Sequence, residues 1–168
     1  MKLKRTLFTA LFLCTVILGV CLPVSAGEKT LHCEYEKITG NGYVADTFLG
    51  VDAIYNLNGR TLYCTELVQR FFRQRYGLEI NCGKNGPTVL NSKEYVFEKT
   101  DTPRAGDVLY ASASARGRGC AHWAICKTVD EDGITLFEQN WKWNGCAGVD
   151  REIPLEGNCY SIYRLTKK

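Results

Sequence analysis

The chain has 168 residues, 45% of them hydrophobic and 23% charged, with a formal charge of +3. That charge sits in the first five residues. Without Lys2, Lys4 and Arg5, the 21 basic residues come level with the 18 acidic ones, which excludes a global electrostatic pull toward nucleic acid or anionic lipid.

The basic start is followed by an apolar run, Leu7 to Val20, and by Pro23-Val24-Ser25-Ala26. The run is short for a membrane span, and the small residue at Ala26 fits signal-peptidase cleavage after it. Residues 1–26 are therefore expected to be a signal peptide. Membrane contact is then confined to the stage before cleavage. A lipoprotein signal through Cys21 is disfavoured by Val20 just before it, and an uncleaved anchor is the alternative. Residues 27–168 suffice for a single domain with its own core. They are expected to act as a secreted, wall-associated monomer.

Along that domain, residues 27–42 read as irregular, ending in Thr39-Gly40-Asn41-Gly42. Val44, Phe48, Val51 and Tyr55 recur at helical spacing and predict a helix over 43–55. Asn58-Gly59 predicts a turn. A second helix is predicted from Tyr63 to Tyr76, with Leu67, Val68, Phe71 and Phe72 as its buried stripe and Gly77 as its stop. Its Arg70, Arg73 and Arg75 lie beside Glu66 and Glu79 and read as a solvated face. Residues 81–105 carry loop signals at Asn85-Gly86-Pro87 and Asp101-Thr102-Pro103. Strands are predicted at 107–111, 121–129, 134–141 and 160–165, with a mobile-looking loop, Ala111 to Gly119, before His122. Helices first and short antiparallel strands after them predict an α+β fold.

Seven cysteines lie beyond residue 26: Cys33, Cys64, Cys82, Cys120, Cys126, Cys146 and Cys159. In an exported chain, three disulfides and one thiol is the simplest arrangement. With two histidines and no Cys-x-x-Cys pair, structural zinc is not expected. Cys64 falls in the first turn of the second helix, where unpaired N–H groups and the helix dipole favour a thiolate and can hold an oxyanion. His122 is the candidate base, because His32 lies in the irregular stretch. Asp130-Glu131-Asp132-Gly133-Ile134 reads as a hairpin with a three-residue loop and Gly133 left-handed. That register pairs Asp130 with Ile134, Cys126 with Glu138 and Ala124 with Asn140. Glu138 and Asn140 then share His122's face, and either can orient the imidazole. A slip of one residue turns both away. Taken singly, a cysteine in an exported chain is more often bridged than catalytic, and His122 reads as an ordinary strand residue.

Four blocks in this order resemble the CHAP domain family, which belongs with the NlpC-like peptidases: Tyr63-Cys64-Thr65-Glu66-Leu67-Val68-Gln69-Arg70-Phe71-Phe72, Pro103-Arg104-Ala105-Gly106-Asp107-Val108-Leu109, His122-Trp123-Ala124-Ile125-Cys126 and Glu138-Gln139-Asn140-Trp141. The resemblance covers about residues 42–165. It implies a papain-like fold, N-terminal helices packed on a C-terminal antiparallel sheet, and hydrolysis of an amide or peptide bond in the peptidoglycan stem or cross-bridge. It also implies Cys64 as nucleophile, His122 as base, Glu138 as orienting residue and Asn140 in support. Some relatives of that kind bind calcium just before the nucleophile. Asp52, Asn56 and Asn58 form only a partial acidic loop, so no metal and no cofactor is expected. Trp123, Trp141 and Trp143 are candidate walls of the substrate groove, although Trp123 reads equally as core. The other readings are a non-catalytic binding module with Cys64 bridged, and a secreted cysteine protease acting on proteins.

Overall fold

The computed structural model describes residues 37–39, 42–55, 63–141 and 150–168. The signal-peptide expectation, Asn56, Asn58 and Trp143 fall outside them, as do Cys33 and Cys146. The chain order is β1 (Lys37–Thr39), β2 (Gly42–Phe48), β3 (Val51–Tyr55), α1 (Cys64–Tyr76), β4 (Ile80–Gly83), β5 (Gly86–Val89), β6 (Tyr95–Thr100), β7 (Val108–Ala111), β8 (His122–Val129), β9 (Ile134–Glu138), β10 (Arg151–Ile153) and β11 (Ser161–Lys167). The centre is a six-stranded antiparallel sheet in the order β10-β9-β8-β7-β11-β6, beside a three-stranded sheet β1-β2-β3 and the hairpin β4-β5.

This corrects the expected fold class. Among the described residues there is one helix, and the chain is mostly strand rather than a helical half packed on a sheet. The predicted helix at 43–55 is the antiparallel pair β2 and β3, joined at Leu49 and Gly50, whose φ angles are 50° and 80°. Positive φ at both central residues is the hairpin turn whose twist matches the flanking strands. The register of this pair shifts between Val44 and Asp46. That bulge breaks the period of two and leaves Val44, Phe48, Val51 and Tyr55 at a spacing that imitates a helix.

The helix α1 forms where its spacing predicts. Leu67, Val68, Phe71 and Phe72 are its buried residues, and Gly77 ends it in the left-handed conformation. That stripe packs against Val51 and Ala53 of β3 and against Val108, Trp123, Ile125 and Phe137 of the large sheet. Phe71 lies edge-on to Phe72, with ring centroids 5.4 Å apart, and stacks on Phe48 at 5.9 Å. A second cluster, Leu109, Ala124, Cys126, Leu136 and Ile162, uses the alternate residues of the same strands.

The β8–β9 register differs from the expected one in two places. Four residues, not three, separate the paired Val129 and Ile134, and a second shift falls between Cys126 and Thr128. Each irregularity moves the pairing by one, so their sum restores the face: Glu138 lies opposite Ala124 and diagonal to His122. The bulged Lys127 sends its ammonium to Asp46 and Asp150, at 2.9 and 2.8 Å. Gly133 is not left-handed. It is small because a Cβ there would meet the carbonyl oxygen of Ile153 on β10.

Candidate active site

Cys64 opens α1, and its sulfur is a free thiol. The first intrahelical bonds run from the N–H groups of Glu66 and Leu67 to the Tyr63 carbonyl, at 3.0 and 3.4 Å. The earlier N–H groups of Cys64 and Thr65 are left to face the sulfur, joined there by the N–H of Trp123. Burial pushes the thiol up from its ordinary range, and these donors and the Arg116 charge only partly offset it. Cys82, Cys126 and Cys159 are also thiols, so the described residues do not carry the expected three-bridge framework. Burial pushes Cys82 and Cys126 up to about 12, leaving them protonated.

His122 is the first residue of β8 and is 1% exposed. Its Nε2 lies 2.8 Å from Glu138 Oε2. Its Nδ1 remains for the cleft of ≈ 200 Å³ that His122 lines together with Cys64, Tyr63 and Asn140. Burial lowers the affinity of the ring for a proton, and Arg151 and Arg116 lower it further, against the raising influence of Glu138. Both shifts favour the uncharged forms, a thiol at Cys64 and a neutral imidazole at His122.

Glu138 is fully buried and ionised. Burial alone would raise its pKa, but bonds from Arg151 and His122 hold it at about 2. Arg151 on β10 donates Nε to Glu138 Oε1 at 2.6 Å and Nη2 to Oε2 at 2.7 Å, and Nη2 also reaches Tyr160 Oη at 2.8 Å. The sequence reading missed Arg151 and Tyr160. Arg151 makes Glu138 one half of a buried ion pair in place of a lone acid, and Tyr160 holds Arg151 in turn.

Asn140 stands just past the end of β9 with φ 57°, a conformation asparagine tolerates, and it lines the cleft rather than pairing with Ala124. Trp141 meets His122 edge-on at 4.9 Å and receives Arg151 over its ring at 3.5 Å. It packs on the imidazole and is not among the residues that line the cleft. Trp123 is 3% exposed and packs in the core 4.5 Å from Tyr110, and it also lines the cleft. Asp52 accepts from Thr47 Oγ1 at 2.7 Å.

Gln139 is a second residue missed. Its Nε2 donates to the Tyr63 carbonyl at 3.3 Å and to Glu66 at 3.0 Å, while its Oε1 accepts from Ile54 N–H at 2.9 Å and from Arg70 at 3.3 Å. One buried amide therefore ties β3 and the start of α1 to the residue between Glu138 and Asn140. The same helix start carries the Glu66–Arg70 pair, and Arg73 bonds Glu79. Gln139→Leu keeps the volume and orphans this set, so urea denaturation is expected to show a loss of about 3 kcal/mol. A loss under about 0.5 kcal/mol would mean the knot carries no weight.

Acid should weaken the fold through both partners. Glu138 is held below its ordinary 4.5, so its contribution is complete above pH 4.5 and is lost as pH falls toward about 2. His122, buried neutral, opposes folding increasingly once pH drops below its ordinary 6.5. Urea midpoints taken at pH 7, 4.5 and 3 are expected to fall in that order, and in Glu138→Gln the part between 4.5 and 3 should shrink.

The chain matches no protein-family model, and no curated protein matches it.

Proposed function

We propose that this chain is a cysteine amidohydrolase or endopeptidase that cleaves amide bonds of peptidoglycan. One observation carries the chemistry. A single cleft holds a free thiol at a helix start and an imidazole whose outer nitrogen is fixed by a buried carboxylate–guanidinium pair. A thiol that N–H groups surround, with a base beside it and a third group behind the base, is the arrangement nucleophilic acyl transfer requires. The substrate class rests on the resemblance of the four blocks to the CHAP family, and that resemblance implies those roles for Cys64, His122, Glu138 and Asn140.

In the proposed reaction, His122 Nδ1 takes the Cys64 proton as sulfur bonds to the amide carbonyl carbon. The oxyanion is met by main-chain N–H of the helix start. The C–N bond then breaks, the amine leaves with the proton from His122, and a thioester remains. Water, deprotonated by His122, hydrolyses it.

Incubation with purified peptidoglycan, with fragments read by mass spectrometry, tests this reading. New amine and carboxyl termini in the stem or cross-bridge are expected. Intact sacculi beside cleaved casein would make the chain a protease of proteins. No cleavage of either would favour a binding module.

A further inference from the structure

The turn between β7 and β8 is not the mobile loop its composition suggests. Main-chain bonds run from the N–H of Arg116 to Ser112 O, of Gly117 to Ser114 O and of Arg118 to Ala113 O, each at 3.1 Å. Arg116 Nη1 reaches back to the Cys120 carbonyl at 3.1 Å and to its sulfur at 3.4 Å. These bonds set the Arg116 guanidinium 4.5 Å over the ring of Trp141, which also meets His122 edge-on. Arg118 approaches the same ring at 5.3 Å. The Arg116 charge is felt at both Cys64 and His122.

Arg151, the third cation on that ring, is neutralised by Glu138. Among the described residues, Arg116 and Arg118 meet no carboxylate. Among the described residues, Arg116 Nε and Nη2, both shielded from water, meet no hydrogen-bond acceptor. Such N–H groups are costly to leave unmet, and a planar guanidinium fork matches a carboxylate.

We propose that Arg116, backed by Trp141 and flanked by Arg118, is a subsite for a carboxylate that the substrate carries beside its scissile amide. This rests on Cys64 being the nucleophile and narrows the substrate to acyl donors with a free acid next to the bond cut. A stem peptide whose acid is amidated is then a poor substrate.

Two alkylating reagents of nearly equal size, iodoacetate and iodoacetamide, test this without a substrate. Rates are read on the tryptic peptide 61–70, which holds Cys64, with exposed Cys159 as the internal reference. The ratio of iodoacetate to iodoacetamide rate is expected to be about tenfold higher at Cys64 than at Cys159. It should fall to the Cys159 value in Arg116→Gln and lie between in Arg116→Lys. A structural role alone would change both rates together and leave the ratio fixed. Equal ratios at the two cysteines of the wild type overturn the subsite even if Arg116→Gln fails to fold. Cys64 inert to both reagents overturns the nucleophile assignment and the subsite with it. Cys64 reactive to both without preference overturns the subsite alone.

Discussion

Cys64→Ala is expected to lower the rate of amide cleavage by at least about 10³-fold, because no other described cysteine lines the cleft. Cys82 is nearest in kind, but burial keeps it protonated at about 12, and it does not line the cleft. The fold should hardly notice. The main-chain bonds of the helix start do not involve the sulfur as donor, and one atom is lost, so stability should change by less than about 1 kcal/mol. His122→Ala is expected to reach a similar floor. The double variant should be no slower than either single one, since nucleophile and base act as a unit. Additive losses would mean that the two residues serve separate steps.

Arg151→Met should give the largest loss of stability. Glu138 is 0% exposed and its partners are Arg151 and His122. Removing the guanidinium leaves a carboxylate out of water with one neutral neighbour, a change that costs about 3–5 kcal/mol in buried pairs. It also strips Trp141 of the cation 3.5 Å above its ring. Cleavage should slow with it, as Glu138 must then take up a proton or draw one onto His122, which removes the base. Glu138→Gln in the Arg151→Met background is expected to recover most of the lost stability, because the stranded charge is gone. Tyr160→Phe removes one hydrogen bond and should cost only about 1 kcal/mol. Denaturant midpoints separate these variants. An Arg151→Met loss below about 1 kcal/mol would show that Glu138 does not depend on the pair.

What the sequence made legible was the part with strong periodicity. The stripe of α1 and its glycine stop identify the helix, and the strands predicted at 107–111, 121–129, 134–141 and 160–165 coincide with β7, β8, β9 and β11 to within a few residues. Parity placed Glu138 on the face of His122 even though the assumed register was wrong, because the longer turn and the Lys127 bulge shift the pairing twice. The fold class was misread where a bulge and a two-residue turn imitated a helical repeat over 43–55. Short strands such as β4, β5 and β10 carry too few residues for a period to show. Arg151 had no signal of its own, since a charged residue on a three-residue strand reads as surface. Gln139 did have one. Alternation turns it away from His122 and toward the helix-packed core, where a lone amide demands partners on every side.

The claim on which the account stands is that His122 activates Cys64. The most direct measurement is the rate of Cys64 alkylation by neutral iodoacetamide across pH 4.5–8, in wild type and in His122→Ala. Cys64 is expected to outpace the more exposed Cys159 near neutral pH, with an acidic limb below the ordinary histidine value of 6.5, and His122→Ala to abolish both the advantage and the limb. A Cys64 rate equal in the two proteins, rising only in the ordinary thiol range, would contradict it.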